Sequence, residues 1–255
     1  MSDPVARFSN RAENYAKYRP NYPAGVIDIL KSDCGLIKTS TIADVGSGTG
    51  ILSEMFLKNG NPVIGIEPNV AMRQVAERLL VGVANFVSVD ATAEASTLEP
   101  ASVDFIIAAQ AFHWFDRQKA RREFVRILKP DGWVVLIWNE RRLDSTPFLR
   151  DYENLLLRYG TDYEKVRHEN VAGEIAQFFA PETFHLKTLE NAQHFDFESL
   201  KGRTRSASYT PEPGSANFET MFAKLEELFN AHQSNRKVTF EYDTNVYYGH
   251  LAPFA

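Results

Sequence analysis

Short apolar runs alternate with amphipathic segments through the first half of the chain. Five runs have the length and composition of strands, and three of the segments between them space their apolar residues as a helix does. Strands separated by helices of this size predict βαβ units and a parallel sheet. The predicted strands are Thr41–Val45, Pro62–Glu67, Asn85–Asp90, Val103–Ala109 and Gly132–Asn139, and the predicted helices are Thr49–Lys58, Val70–Leu80 and Arg117–Leu128, the last closed by a turn at residues 129–132.

The pattern changes after Asn139. Two helices follow without a strand between them, then a loosely alternating strand, a long amphipathic helix and a last strand in which Val238, Phe240 and Tyr242 alternate with polar residues. These later helices either cap the sheet or simply pack against it. The predicted elements of this half are Pro147–Tyr159, Ala172–Phe179, the strand Phe184–Phe197 and the helix Asn217–His232.

Composition excludes several classes of function. The chain has 255 residues and a net charge of −5, and no stretch concentrates Lys and Arg with aromatic residues as a nucleic-acid groove requires, so we expect no nucleic-acid partner. The N-terminus is too polar for a signal peptide and no run of about 18 apolar residues is present, so we expect a soluble, cytoplasmic protein without a membrane partner. The chain has one cysteine, Cys34, so an internal disulfide is excluded. We expect Cys34 to pack among apolar residues as a small hydrophobic side chain. The six histidines are scattered, so we expect no metal site.

A glycine loop follows the first predicted strand in the sequence "IADVGSGTG" from Ile42 to Gly50. A strand, a glycine loop and a helix make a nucleotide site. The loop lacks the Lys and Ser/Thr pair of a P-loop, and its G-x-G-x-G spacing is not the G-x-G-x-x-G of a dinucleotide fold. Asp44 precedes Gly46 by two residues, where a carboxylate would repel a pyrophosphate and accept hydrogen bonds from an amine. The loop therefore predicts a nucleoside ligand that carries an ammonium group.

Five signals in order resemble class I S-adenosylmethionine-dependent methyltransferases. They are "DVGSGTG", "GIEPN" with Glu67, the pair Asp90-Ala91, "AAQAFHWFD", and "LKPDGWVVLIWN" leading into the fifth strand. The closing strands match the sixth and seventh of that family. The resemblance implies an α/β fold, a Rossmann-like doubly wound sheet of seven strands, six parallel and the last antiparallel, with a helical cap. It implies S-adenosyl-L-methionine as cofactor, S-adenosyl-L-homocysteine as product, and cofactor-binding roles for Asp44, Gly46, Ser47, Gly48, Gly50, Glu67, Pro68, Met72, Asp90, Ala91 and Gln110.

Three of these roles have alternatives that the residues leave open. Glu67 binds both ribose hydroxyls in the family, but here it could also cap the following helix. Asp90 contacts the adenine amino group in the family, but it could equally be an ordinary acid at a strand end. Met72 is either a lid on the adenine ring or a core residue.

The N-terminal stretch "FSNRAENYAKYRPNYP" resembles the start of enzymes similar to trans-aconitate methyltransferase, where it folds over the cofactor. The hypothesis is that Tyr18 or Arg19 meets the carboxylate of the methionine moiety and that the segment orders on binding. The alternative is a surface helix whose aromatic residues dock on the sheet.

Acceptor-site candidates come from three places. Gln110 is expected near the sulfonium; beside it, His113 is either a general base or structural, and Trp114 forms the pocket wall. Arg203 and Arg205 lie in "LKGRTRSASY", read as a loop that binds a carboxylate or is merely solvated. Asn139 begins the group Asn139, Glu140, Arg141 and Arg142, which would line the acceptor pocket from the other side.

Together these features predict a transferase of class EC 2.1.1.-, moving a methyl group to a small molecule, on an oxygen of a carboxylate or hydroxyl. The alternative is a cofactor-binding protein of this fold without turnover. A nicotinamide dehydrogenase is disfavoured by the glycine spacing, and a macromolecular methyltransferase by the negative charge. We expect a single domain over 1–255, a monomer or weak dimer, with a cofactor core at 36–140 and cap segments at 1–25, 141–182 and 198–235.

Overall fold

A computed structural model describes residues 12–163 and 171–252. Its strands form one seven-stranded sheet. The strands are β1 (Ile42–Val45), β2 (Val63–Ile66), β3 (Phe86–Val89), β4 (Val103–Ala109), β5 (Leu128–Arg141), β6 (Phe184–Phe195) and β7 (Val238–Gly249). The helices are α1 (Ala12–Tyr18), α2 (Gly25–Cys34), α3 (Ile51–Asn59), α4 (Val70–Leu79), α5 (Arg117–Ile127), α6 (Pro147–Tyr159), α7 (Val171–Phe179), α8 (Phe197–Arg205) and α9 (Ala216–His232).

The strand order is β3-β2-β1-β4-β5-β7-β6. β1 pairs in parallel with β2 and β4, and β2–β3 and β4–β5 are also parallel. β7 is antiparallel to both of its neighbours, so β6 runs in the direction of the first five strands. This confirms the predicted sheet of six parallel strands and one antiparallel strand. The order reverses between β1 and β4, and in such sheets the ligand crevice lies at that switch point, at the carboxyl ends of the strands.

Both faces of the central strands are covered. On one face α5 and α7 contribute Phe124 and Phe178 to the core, and on the other α2 and α3 contribute Leu30 and Phe56. This explains why β4 and β5 are nearly continuous apolar runs. Cys34 belongs to the second cluster, and burial raises the pKa of its thiol to about 12. The expected packing role of Cys34 is confirmed.

A separate apolar core holds the cap together. Helices α6, α8 and α9 pack on the part of the sheet formed by β6 and β7. Tyr152 of α6, Leu200 of α8 and Leu225 of α9 meet around Phe240 of β7, whose ring is fully buried. Helices α6, α8 and α9 therefore enclose a second core with β6 and β7, whereas α7 packs on the central strands.

Two local predictions are wrong. β5 starts at Leu128, because Val103 pairs with Leu128 and Phe105 with Trp133, so residues 129–132 form an irregularity within the strand. Asp131 has a left-handed φ of 62° there, which explains why this stretch reads as a turn. The predicted loop after β6 contains helix α8, whose start is capped by Asp196: its carboxylate accepts a hydrogen bond from Ser199 N at 2.8 Å.

Within the described ranges, no helix combines the length and apolar character that crossing a membrane requires.

Candidate cofactor and acceptor site

The glycine loop after β1 is fixed to the end of β2. The amides of Gly46 and Ser47 both donate to the carbonyl of Ile66, at 2.8 and 3.1 Å. Gly46 has a φ of +71°, and a Cβ there would lie 2.5 Å from Cβ of Ala111. Only glycine fits this position. The loop backbone therefore closely approaches the segment that follows β4.

Two adjacent spaces lie at this switch point, one of about 230 Å³ and a smaller one of about 30 Å³. They share Tyr15, Gly46, Gly48 and Ala109. We call the larger one the cavity; it takes its other lining residues from the ends of β2 and β4 and the segments after β3 and β4. Those residues are Glu67, Pro68, Asn69, Met72, Thr92, Ala93, Glu94, Gln110, Ala111, Trp114 and Phe115. The smaller space is lined further by Tyr22, Asp44, Ser47, Thr49, Ile51 and Leu52.

Glu67 presents a buried carboxylate to the cavity. It accepts hydrogen bonds from Gly48 N at 2.9 Å and Asn69 N at 2.8 Å. Burial raises the pKa of Glu67, against the opposing effect of these amides and of Arg73. The cap of α4 is Asn69, which accepts from the amides of the helix's first turn. Glu67 is thus not the capping residue, and its remaining lone pairs are available for ligand hydroxyls.

Asp44 is almost completely buried at the end of β1. Its Oδ2 accepts a hydrogen bond from Ser53 Oγ at 2.6 Å, while Oδ1 has no partner among the described residues. Burial raises the pKa of Asp44 to about 7, and the nearby Glu67 adds to the shift. A buried carboxylate oxygen without a donor is a favourable place for a cation.

Asp90 is not brought to the cavity. Its side chain is 68% exposed and forms an ion pair with Arg73 at 2.8 Å. Neither Asp90 nor Ala91 is among the described lining residues, whereas Thr92, Ala93 and Glu94 are. Met72 is both buried and in the lining, and its contact with an adenine ring stays a prediction.

The remaining loop residues complete this part of the site. Pro68 lines the cavity and Ser47 the smaller space, while Gly50 begins α3 with a φ of 82°.

The segment after β4 brings Gln110 and Trp114 into the lining. Gln110 has a left-handed φ of 55°, and its Nε2 donates to the carbonyl of Asn139 at 3.0 Å. His113 and Trp114 lie in a short 3-10 helix with ring centroids 4.6 Å apart. Trp114 lines the cavity and His113 is not among the described lining residues, so His113 contacts the site through Trp114.

Helix α1 packs against α4 and α8, across the cavity. Tyr15 lines the cavity from this helix, although the sequence singles out Tyr18 and Arg19. The ring of Tyr18 lies on Gly202 of α8, where a Cβ would be only 2.1 Å from the ring. Arg19 Nη2 donates to the carbonyl of Ser206 at 3.2 Å. The N-terminal segment thus joins the cavity to the cap.

Asn139 has a structural position at the end of β5. Its Nδ2 donates to the carbonyl of Asn21 at 3.4 Å, and its Oδ1 accepts from Asn191 Nδ2 at 3.2 Å and from Thr244 Oγ1. The side chain therefore ties the N-terminal segment to β6 and β7. Its predicted contact with substrate stays a prediction.

Arg203 and Arg205 do not form the predicted pair. Residues two apart on a helix point in nearly opposite directions, because each residue turns the helix by about 100°. Arg203 is buried beside the ring of Phe240, at 5.8 Å from its centroid. Arg205 is exposed and lies over the rings of Phe218 and Phe222. Only Arg203 points into the cap.

Comparison with known proteins decides the family of the cavity-bearing part. A family model described as a methyltransferase domain matches residues 43–136. Residues 43–136 belong to the methyltransferase domain family. This methyltransferase domain contains β1 to β4, the glycine loop and all the lining residues except those of the N-terminal segment.

Two relatives of the methyltransferase domain come from Schizosaccharomyces pombe. An uncharacterized methyltransferase-like protein is 34% identical over 159 residues, which cover 61% of this chain and 59% of that protein. A second, an uncharacterized methyltransferase, is 29% identical over 258 residues, 96% of this chain and 97% of that protein. The chain therefore spans less than two thirds of the first relative and nearly all of the second.

Solved structures share the fold. A candidate type II methyltransferase from Anaeromyxobacter dehalogenans has a TM-score of 0.69 and 22% identity, covering 93% of this chain and 100% of that chain. Phosphoethanolamine N-methyltransferase 2 of Haemonchus contortus, in complex with phosphomonomethylethanolamine and S-adenosylhomocysteine, has a TM-score of 0.55 and 16% identity, covering 94% of this chain and 56% of that chain. The fold around the methyltransferase domain therefore extends over nearly the whole chain.

Proposed function

We propose that this protein is an S-adenosylmethionine-dependent methyltransferase that methylates an oxygen, carboxylate or hydroxyl, of a small molecule. The observation that carries the proposal is the pair of buried carboxylates on either side of the glycine loop. Asp44 has an unpartnered oxygen and Glu67 lines the cavity. A nucleoside with an ammonium group satisfies both, because the cation meets Asp44 and the ribose hydroxyls meet Glu67.

The residues of the cavity and of the smaller space beside it fit this cofactor. Asp44 would hold the ammonium group, Glu67 the ribose diol, and Met72 and Pro68 would contact the adenine ring. When bound, S-adenosylmethionine supplies an electrophilic methyl group on a sulfonium. The chain's own part is to align the acceptor and exclude water. Gln110 and Trp114, in the segment after β4, line the cavity and would do this.

Acid–base help depends on the acceptor. A carboxylate acceptor is already deprotonated near neutral pH and needs no base, while a hydroxyl does. His113 remains the proposed base for a hydroxyl, and its ring packs against that of Trp114, which lines the cavity. Turnover of a His113→Ala variant tests this role, because unchanged turnover leaves His113 without one in catalysis.

Calorimetric titration tests the cofactor first. S-adenosylmethionine and S-adenosylhomocysteine are expected to bind, and NAD, the control, is not. Asp44→Ala and Glu67→Ala should each weaken binding by about tenfold or more, since each removes charge-assisted hydrogen bonds. Transfer of labelled methyl groups to a panel of carboxylates and phenols then tests turnover. Binding of NAD, or of none of the three, would contradict the proposal.

A further inference from the structure

Three arginines distant in sequence meet inside the cap. Arg19 follows α1, Arg141 ends β5 and Arg203 lies in α8. The guanidinium carbons of Arg141 and Arg203 each lie 5.8 Å from the ring centroid of Phe240. Arg19 is close enough to Arg203 for the two charges to interact, and Tyr242 lies beside both. We call these three residues the arginine cluster.

The charges of the arginine cluster are not balanced by the described part of the chain. Arg141 forms an ion pair with Glu153, whose Oε2 also accepts from Tyr163 Oη at 2.6 Å. No ion pair within residues 12–163 and 171–252 involves Arg19 or Arg203. Arg19 instead contacts the carbonyl of Ser206 and the ring of Tyr15, and Arg203 contacts an aromatic ring and a tyrosine. Three positive charges and one negative charge leave a net charge of about +2.

Hydrogen-bond donors in the cluster are also unused. Nε of Arg19, Nε and Nη1 of Arg203, and Nη1 of Arg141 are buried without an acceptor among the described residues. Buried polar groups are usually hydrogen-bonded, and a buried charge without a partner strongly destabilises a protein. Arginine N–H groups bind oxyanions, often through two parallel hydrogen bonds. The arginine cluster therefore has the charge and the donors of an oxyanion site.

The arginine cluster lies next to the proposed cofactor site. The guanidinium of Arg19 is 4.8 Å from the ring centroid of Tyr15, which lines the cavity. Arg19 also interacts with Arg203, so it links the lining of the cavity to the arginine cluster.

We infer that the arginine cluster binds a doubly charged oxyanion group of the methyl acceptor, as found in a dicarboxylate or a phosphate monoester. This rests on the proposed function, because it makes the cap the acceptor site of the same reaction. Arg203 is the central ligand, with Arg19 and Arg141 on either side. Two negative charges match the net charge of about +2 that the described part of the chain leaves unbalanced in the cluster.

Calorimetry on protein saturated with S-adenosylhomocysteine tests the inference. The probes are succinate as dicarboxylate, glycerol 3-phosphate as phosphate monoester, and succinamide as uncharged match. At least one anion should bind and succinamide should not; which anion binds identifies the source of the charge. Arg203→Met should weaken anion binding by about tenfold or more, while the Kd of S-adenosylhomocysteine changes by less than about threefold.

Two controls separate binding from folding. Arg203→Met removes a buried charge without an ion pair, so its Tm without ligand should equal or exceed that of the parent. Arg158→Met, at an exposed position of α6 over the ring of Tyr159, should leave anion binding unchanged. If Arg203→Met lowers the Tm, the residue is structural and the inference falls.

Other results would also overturn the inference. Absence of binding by both anions would mean that the charges are balanced by the chain itself. Loss of S-adenosylhomocysteine binding in Arg203→Met, with anion binding intact, would assign the cluster to the cofactor. Failure of the parent protein to bind S-adenosylhomocysteine would overturn the proposed function, whereas normal cofactor binding without anion binding would overturn the inference alone.

Discussion

Asp44 shows how a single residue can favour ligand binding at a cost to the stability of the folded chain. Its carboxylate is buried beside a second acid, Glu67, and burial raises its pKa to about 7. The acid and the carboxylate are therefore about equally populated near pH 7, and the acid predominates below it. A cationic ligand favours the carboxylate, so its binding below about pH 7 releases a proton. The affinity of the site for its cofactor should then depend on pH.

We expect the Kd of S-adenosylhomocysteine to be about tenfold higher at pH 6 than at pH 8. The sign follows from the raised pKa, because protons compete with the ligand below about pH 7 and no longer do so above it. Asp44→Asn should bind more weakly at pH 8 and lose this dependence. Ser53→Ala removes the hydrogen bond that lowers the pKa of Asp44, so it should move the midpoint to higher pH. Calorimetry at constant ionic strength measures all three, and a flat pH profile in the parent would contradict the expectation.

At the scale of single residues, the sequence predicts those positions that follow from the local order of strands and loops. Asp44 and Glu67 end neighbouring parallel strands, and the carboxyl ends of such strands meet at one edge of the sheet. Asp90 also follows a parallel strand, but Arg73 of α4 binds its carboxylate outside the cavity. That partner lies 17 positions away in the sequence, and nothing in the strand-end pattern indicates it.

Among the elements, α8 is a helix that the sequence pattern does not indicate. It has few apolar residues, contains Gly202 and reads as a basic loop. Tertiary contacts explain the glycine, because the ring of Tyr18 lies against it and leaves no room for a Cβ. Helix propensity is a weak guide where a contact with another element determines which residue type fits. α1 and α8 are thus a packed pair whose contact requires glycine.

Gly202→Ala tests this contact. In an exposed helix, Gly to Ala usually stabilises by about 0.5–1 kcal/mol. Here the new Cβ would lie 2.1 Å from the ring of Tyr18, so we expect α1 to be displaced and the free energy of unfolding to fall by about 1–3 kcal/mol. The Kd of S-adenosylhomocysteine should rise as well, because Tyr15 moves with α1.

Gly173→Ala in α7 is the matched control for this variant. A Cβ at Gly173 meets nothing within 4 Å, so the substitution should be neutral or stabilising and leave cofactor affinity unchanged. Thermal unfolding and calorimetry give both quantities. A Gly202→Ala variant that is as stable as Gly173→Ala and binds equally tightly would show that Tyr18 is free to move away.

In the whole molecule, the sheet follows from the sequence and the arginine cluster does not. Alternating strands and helices are read locally, and the family resemblance supplies the antiparallel ending that the pairing of β7 confirms. Arg19, Arg141 and Arg203 are brought together only by the tertiary fold, since the first two are 122 positions apart in the sequence. The sequence places Arg203 and Arg205 together in one basic stretch, and the helix directs their side chains apart. Long-range clusters of this kind have no periodic signal.

This connectivity makes α1 the link between the cavity and the cap. Tyr15 lines the cavity and Tyr18 packs on α8, so a ligand that immobilises α1 should also immobilise α8. Saturating S-adenosylhomocysteine, at about 100 times its Kd, can slow amide exchange by up to about 100-fold where opening abolishes binding. We expect this slowing at residues 12–22 and across α8, as well as in the glycine loop.

Hydrogen–deuterium exchange with and without S-adenosylhomocysteine measures the effect. The contact between α6 and α9 serves as the internal control, because neither helix lines the cavity and their exchange should not change. In Gly202→Ala the slowing should persist in the glycine loop and disappear from α8. Slowing confined to the glycine loop in the parent protein would mean that α1 does not transmit binding, and the cofactor and acceptor sites would then act independently.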